Sequence, residues 1–489
     1  MQIRQLLVGV ETINSCGNLD VEVSDIIYDS RKVVPGVAFV ALKGARSDGH
    51  QYIDEVIEKG AVAVFVEDEI STASDIPVIR MKDTREGLAQ LSANYFGQPA
   101  TKLTMIGITG TKGKTTTSWM IKGILESAGK TTGVIGTMGV FIGTKHYETN
   151  NTTPESYDIH KYLKKMEEEG VEYAVMEVSS QALKMKRTAG ISFDYAIFTN
   201  LTRDHIGPDE HASMEEYTFC KSLLFQQSRH GIFNIDDAHF PEIVKHATST
   251  ICTYGTTQKA DVRLQGLAYA QEKGNLGIRI KIQGLLEDSV FVSIPGDFSA
   301  YNAMAAITVA KLLEIEASDI KRALEDVKVK GRVEPVKVSD KFTVLIDYAH
   351  NGVSMESVLK MIQEYRPKRI VSLFGCGGNR SRERRYDMGE ISGRMADYSI
   401  ITADNSRFED VNDIITDIVK GISKTSGKYM TIPDRRDAIK YSIKNALEGD
   451  IILILGKGHE DYQEINGVRY PFDERVVIGE IVKELALEN

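Results

Sequence analysis

The sequence predicts an α/β protein of three domains, and three observations carry that expectation. The chain has 489 residues, more than one hydrophobic core usually supports. At Leu103 an apolar run, LTMIGIT, enters a glycine-rich loop and then a stretch with helical spacing of its apolar residues. Near Gly331 the alternation of apolar strands and helix-like segments restarts.

The elements follow in order. Up to about residue 98, AVAVFVED and IPVIRM read as short β-rich runs between polar turns, which makes a small α/β module. After LTMIGIT, the helix TTSWMIKGILESAG stops at Gly129, a residue suited to the left-handed conformation that ends helices. Apolar strands over Tyr173–Val178 and Tyr195–Thr199, separated by helical stretches, fit a parallel sheet covered on both faces. Beyond Gly331, strands are expected at Thr343–Ile346, Arg369–Phe374, Tyr398–Thr402 and Asp450–Leu455, with a helix over Val411–Ser423, as in a Rossmann-like domain. The expected domains are therefore 1–98, a central P-loop-type domain over 99–332, and 333–489. No internal repeat or low-complexity linker marks the boundaries.

Composition excludes several classes. The chain is 42% hydrophobic and 26% charged, as a folded globular protein is. A net charge of -10 argues against a nucleic-acid surface, which needs clustered Lys and Arg. The four cysteines (Cys16, Cys220, Cys252 and Cys376) have neither zinc-ligand nor disulfide-framework spacing. No run approaches 18 apolar residues and the start lacks a signal-peptide pattern, so a cytoplasmic protein without membrane insertion is expected.

The strongest motif is TGTKGKTT, Thr109 to Thr116. Between a strand and a helix, the backbone amides of Gly110, Thr111, Lys112, Gly113 and Thr116 can cradle phosphates on the helix N-terminus. Lys114 would reach the terminal phosphates and Thr115 would hold Mg²⁺. The general phosphate-loop pattern wants glycine where this chain has Ile108. Glu177 ends a strand where ligands bind in open α/β sheets, and a carboxylate there can hold Mg²⁺. Taken alone, Glu177 reads as a solvated strand-end carboxylate, His205 as a structural histidine and Lys221 as a solvated helix lysine.

The TGTxGKTT form resembles that of the Mur ligases and their folylpolyglutamate synthetase relatives. The resemblance continues, in family order, through MEVSSQAL (Met176–Leu183), FTNLTRDH (Phe198–His205), GDFSAYNAMAA (Gly296–Ala306), GRVEPV (Gly331–Val336) and IDYAHN (Ile346–Asn351). It implies an ATP- and Mg²⁺-dependent enzyme that forms an amide bond on a UDP-linked muramoyl-peptide. It places Glu177 and His205 on Mg²⁺ and makes Lys221 a carbamylated lysine, whose added CO₂ turns an ammonium into an anion fit to sit beside the metal. Asn302, Arg332 and Asp347 match positions that contact adenine and ribose, with Tyr348 and His350 nearby.

The resemblance also assigns the two acceptor substrates. Ser30, His50 and Gln51 would meet the uridine diphosphate end, and Asn151, Thr152, Thr153, Ser179 and Arg187 the muramoyl-peptide. Two residues before Arg187 the family commonly has Gln where this chain has Met185. In the third domain Arg385, Gly456 and Glu460 match residues that meet the incoming amino acid, and an arginine grips a carboxylate bidentately. The block GKGHEDYQ (Gly456–Gln463) is characteristic of ligases adding the third residue and argues against the folate enzyme.

DNSR, Asp404, Asn405, Ser406 and Arg407, stands where ligases for meso-diaminopimelate carry Asp-Asn-Pro-Arg. Ser406 removes a proline that would help pre-set the loop. The long DHIGPDEH (Asp204–His211) is similar to some lysine-adding relatives. Meso-diaminopimelate is still expected, because Arg407 would be costly if buried without a second carboxylate to bind. The expected substrates are thus UDP-N-acetylmuramoyl-dipeptide and a diamino acid, handled by a monomer. The alternatives are L-lysine as the amine, a folylpolyglutamate-type ligase, or a nucleotide-binding relative that has lost catalysis.

Overall fold

The computed structural model describes residues 1–44, 47–70, 72, 75–203, 206–207, 210–272 and 275–488. Its chain forms two compact units. The first comprises 1–263, 284–286 and 304–320, and the second 264–283, 287–303 and 321–489.

The first unit holds two sheets. The N-terminal one has five strands in the spatial order Thr12–Cys16, Val78–Met81, Ala63–Val66, Ala38–Val40, Ile26–Ile27, with only the first antiparallel to its neighbour. Ala63–Val66 and Val78–Met81 fall inside the two runs singled out in the sequence, and they are buried because both faces are covered.

In the second sheet, parallel strands lie in the order Thr250–Gly255, Ser228–Asn234, Phe193–Phe198, Thr104–Thr109, Tyr173–Glu177, Thr132–Gly136. Thr104–Thr109 lies in the middle, so the loop leaving it opens between two strand ends, where ligands bind in such sheets. Its helix, Lys114–Ser127, ends two residues before Gly129, which has φ +76° as the sequence predicts.

Two reciprocal tyrosine–aspartate bonds tie the N-terminal sheet region to helix Ser156–Glu168. The Tyr28 hydroxyl donates to Asp158 and the Tyr157 hydroxyl to Asp25, each at 2.6 Å. Tyr157 is buried and Tyr28 partly so, and each bond replaces water that the hydroxyl has lost.

In the second unit, parallel strands Thr343–Asp347, Asp450–Leu455, Arg369–Phe374, Tyr398–Ile401 and Tyr429–Thr431 lie side by side in that order, with Glu334–Val336 antiparallel at the edge. The sequence-derived strands agree to within a residue, because these are long apolar runs bounded by turns. Helix Val411–Ile422 ends one residue before the expected Ser423. Among the described residues no helix is long and apolar enough to cross a membrane.

His160, on the buried face of helix Ser156–Glu168, has neither ring nitrogen hydrogen-bonded among the described residues. Burial lowers its pKa from 6.5 to about 4. Below pH 6.5 the unfolded chain therefore takes up a proton that the folded chain refuses. The stability this preserves at neutral pH is lost as the pH falls towards 4, by roughly 3 kcal/mol for this one group. Replacing His160 with Leu should flatten that part of the pH dependence, which urea-unfolding midpoints at pH 7 and pH 4.5 will measure.

Candidate active site

The phosphate loop is built by glycines and a neighbouring strand end. Gly110 has φ +148°, and a methyl group on it would overlap the Thr199 hydroxyl. Gly113 has φ +87° and caps the helix that Lys114 begins. Asn200 holds the loop from outside: its carbonyl accepts from Thr111 N at 2.8 Å and its side-chain oxygen from Lys112 N at 3.0 Å. Thr199 Oγ1 donates to Lys112 O at 2.7 Å. The Lys114 ammonium is folded over the loop, donating to Gly110 O at 2.8 Å and Thr111 O at 3.1 Å. Thr116 is buried behind the loop.

Glu177 is the centre of this arrangement. It is 1% exposed at the end of its strand. Thr115 Oγ1 donates to its carboxylate at 2.9 Å, Thr137 N at 3.1 Å and Thr137 Oγ1 at 3.1 Å. Burial pushes the carboxyl above its ordinary range, while the charge of Lys114 and these hydrogen bonds pull the other way. Gly136 makes room, since a methyl group there would overlap the Glu177 side chain. The hydroxyl of Thr115 against the carboxylate of Glu177 is a pair of hard oxygen donors, a set that fits Mg²⁺.

Lys221 comes from another helix, Met214–Ser222, to the same loop. Its side chain is buried, its ammonium donates to Gly110 O at 2.9 Å, and it lies 4.6 Å from the centre of the Tyr217 ring. The Tyr217 hydroxyl in turn lies 3.1 Å from Thr111 Oγ1. His205 lies outside the described residues.

The expected muramoyl-peptide residues converge on Glu177 from its other side. Thr153 Oγ1 donates to Glu177 O at 2.8 Å and accepts from Ser179 N at 3.0 Å. Ser179 caps the short helix Ser180–Lys184. Arg187 donates to Thr153 O at 2.9 Å and pairs with Glu155 at 2.9 Å. Thr152 Oγ1 lies 3.1 Å from Thr137 Oγ1, and Asn151 is exposed beside it. Met185 ends the Ser180–Lys184 helix as its C-terminal cap.

At the N-terminal end a cavity of about 570 Å³ is lined by Tyr28, Asp29, Ser30, Arg31, Phe39 and Tyr52, among others. Ser30 faces it. His50 and Gln51 are not part of its lining. His50 has its Nδ1 2.6 Å from Asp48 and its Nε2 accepting from Glu67 N at 2.9 Å.

In the second unit, Asp347 is buried and accepts from Val333 N and Ala349 N, both at 2.8 Å. Burial raises its pKa, against the pull of Arg332. The Arg332 guanidinium lies 5.3 Å from the Tyr348 ring, and His350 stacks edge-on against that ring. Asn302 is buried on helix Asp297–Leu312.

The DNSR segment in the same unit is a pinned loop. Asp404, Asn405 and Ser406 are all buried. Asn405 donates to Glu460 at 2.8 Å and accepts from Lys457 Nζ at 3.0 Å and Glu464 N at 3.0 Å. Its carbonyl accepts from Gly378 N at 2.8 Å. A methyl group on Gly378 would overlap Ser406 O, and one on Gly456, at φ +114°, would meet Asp404. Close packing against glycine thus sets the loop without the proline.

One expectation needs correction here. Arg407 is neither fully buried nor without partners: its side chain is 24% exposed, donates to Gly378 O at 2.8 Å and faces Glu464 at 3.4 Å. The cost argument for a second substrate carboxylate therefore loses its premise. Arg385 is 1% exposed; its Nη2 donates to both Glu409 oxygens at 2.8 Å and its Nη1 to Asp417 at 3.2 Å.

Thr137, Asn200, Lys457 and Glu409 escaped sequence reasoning. Only Asn200 and Lys457 lie inside blocks that the sequence singles out, FTNLTRDH and GKGHEDYQ.

Sequence profiles described as Mur ligase family, catalytic domain, Mur ligase middle domain, and Mur ligase, glutamate ligase domain match residues 22–96, 108–310 and 331–458. A UDP-N-acetylmuramoyl-L-alanyl-D-glutamate--2,6-diaminopimelate ligase of Caldanaerobacter subterraneus subsp. tengcongensis is 42% identical over 99% of both chains. The chain belongs to the Mur ligase family. A ligase of the same description from Clostridium perfringens is 40% identical, covering 99% of this chain and all of that one. A solved structure of a UDP-N-acetylmuramoyl-L-alanyl-D-glutamate--2,6-diaminopimelate ligase superimposes with a TM-score of 0.75, at 29% identity over 99% of both chains.

The DNSR loop and the Gly456 loop share one buried support. The Arg435 guanidinium donates to Ala403 O at 2.9 Å and Leu455 O at 2.8 Å, and pairs with Glu474 at 2.6 Å, both side chains being fully buried. Glu474→Leu, which strands the cation, should cost roughly 3–5 kcal/mol, whereas Arg435→Met with Glu474→Leu should recover most of it. Chemical denaturation of the two variants will measure the difference.

Proposed function

We propose that this chain is an ATP-dependent amide ligase that joins meso-diaminopimelate to UDP-N-acetylmuramoyl-L-alanyl-D-glutamate. The observation that carries the reading is the convergence on one buried residue: the phosphate loop reaches the Glu177 carboxylate through Thr115, and the peptide-binding set reaches the Glu177 backbone carbonyl through Thr153. A nucleotide phosphate and a peptide carboxylate brought to these two sides would lie against each other. The full-length likeness to relatives described as diaminopimelate ligases supports the choice of substrates.

In this reading the segments 1–98, 99–332 and 333–489 bind the UDP-sugar, ATP and the diamino acid respectively. The D-glutamate carboxylate attacks the γ-phosphorus, the bond to the bridging oxygen breaks, and ADP leaves an acyl phosphate. The diaminopimelate amine then adds to the acyl carbon, loses a proton, and expels phosphate to leave the amide. Lys114 offsets charge on the transferring phosphoryl oxygens, and the loop amides fix the nucleotide, so the protein acts by positioning and electrostatics. Thr115, Glu177, His205 and a carbamylated Lys221 would hold Mg²⁺, which supplies further charge neutralisation.

The Lys221 ammonium is already directed at Gly110 of the loop, so a carbamate formed on it would put negative charge at the loop. Ser30 would meet the uridine diphosphate in the N-terminal cavity. Asn302, Arg332 and Asp347 would contact the adenosine. Asp404 to Arg407, Gly456 and Glu460 would hold the amino acid. Arg385 would engage its carboxylate once Glu409 yields its place.

Two measurements test this. Phosphate release with UDP-N-acetylmuramoyl-L-alanyl-D-glutamate, ATP and Mg²⁺ should favour meso-diaminopimelate over L-lysine by about a hundredfold in kcat/KM, since a charge-assisted contact to the extra carboxylate is worth roughly 3 kcal/mol. Arg407→Ala should erase most of that preference, and a wild-type preference for lysine would overturn the choice of amine. Gly110→Ala should weaken ADP binding by about tenfold or more with unchanged circular dichroism, because the strained backbone no longer presents its amides.

A further inference from the structure

His211, Glu216 and Cys220 form a cluster that the ligase reading leaves unused. Glu216 and Cys220 are four residues apart on helix Met214–Ser222 and so share one face. His211 precedes that helix, whose N-cap Ser213 accepts from Glu216 N. One donor atom from each, an imidazole nitrogen, a carboxylate oxygen and a thiol sulfur, lies within 4.8 Å of the others. His211 and Cys220 are buried, while the Glu216 side chain is 32% exposed and leaves a way in from solvent.

We infer that these three side chains form a binding site for a borderline divalent cation of the Zn²⁺ class, separate from the magnesium ligands of the phosphate loop. Mixed nitrogen, oxygen and sulfur donors select Zn²⁺, Co²⁺ or Cd²⁺ over Mg²⁺, which prefers oxygen. Donor atoms around a tetrahedral ion of this size stand about 3.5 Å apart, so rotations of the three side chains of about 1 Å close the site. Three protein ligands leave a fourth position to water.

The surroundings suit the role. His211 Nε2 lies 2.9 Å from Ser180 Oγ, which orientates the ring. Glu216 has one oxygen on Lys184 at 2.8 Å and the other on Ala212 N at 2.7 Å, which aims the carboxylate before any ion arrives. On binding, the Cys220 thiol gives its proton to solvent and the sulfur enters as thiolate. The bound ion would cross-link the segment before helix Met214–Ser222 to the helix itself, one residue from Lys221.

The test uses Co²⁺ with the full-length reduced protein in saturating Mg²⁺, followed by absorption spectroscopy. The site predicts one Co²⁺ per chain, with a thiolate-to-cobalt charge-transfer band and visible bands of tetrahedral intensity. The charge-transfer band should vanish in Cys220→Ser. In Glu216→Gln, whose more exposed position keeps folding intact, Co²⁺ affinity should fall by about tenfold or more, the scale on which ligand losses are felt. The Cys16→Ser, Cys252→Ser double variant should keep the band. A band that survives Cys220→Ser, one that disappears with the other two cysteines, or Co²⁺ uptake without any thiolate signal overturns the inference. None of these readouts depends on catalysis.

Discussion

The first unit depends on keeping one carboxylate, Glu177, out of water at the end of a central strand. Stripping an ionised group of solvent is expensive, and the protein offsets it with three hydrogen-bond donors and the nearby charge of Lys114. Every element that supplies those partners is thereby committed to a position. Thr115 must begin a helix directly after the loop, Thr137 must follow the adjacent strand, and Gly136 must lack a side chain. The turn around Thr153 hangs from the carbonyl of the same residue.

The second unit solves a different problem by the same kind of exclusion. Its DNSR loop is approached so closely by Gly378 and Gly456 that neither glycine leaves room for a methyl group. Behind them the fully buried Arg435–Glu474 pair ties Ala403 and Leu455, the residues just before Asp404 and Gly456, to one guanidinium. A planar fork with several donors can satisfy two carbonyls and a carboxylate together, which an ammonium does less well. That explains how the DNSR loop is held although Ser406 replaces a proline: backbone rigidity from a ring is exchanged for rigidity from packing.

Much of the fold was legible because its strands are buried on both faces and read as unbroken apolar runs. Arg369–Phe374 and Asp450–Leu455 match the expected strands to the residue. The phosphate loop was legible for a related reason, as glycine and lysine spacing there is dictated by backbone geometry. Side-chain partners were less legible. His50 is held by Asp48 and by a backbone amide 17 positions away, partners that its own stretch of sequence does not reveal. Arg385 was expected to await a carboxylate and already holds two, Glu409 and Asp417, from a loop and a helix that local sequence does not connect to it.

By itself the sequence determined the α/β class and the strand–loop–helix that can cradle a phosphate, since these follow from short-range periodicity and spacing, and its blocks carried the resemblance that points to the family. Only the tertiary structure decided that Thr115, Thr137 and Thr153 meet at Glu177, that Lys221 reaches Gly110, and that Arg407 and Arg385 have internal partners. Those outcomes depend on which buried charges must be compensated by residues distant in the chain, and desolvation acts on neighbours in space, not on neighbours in sequence.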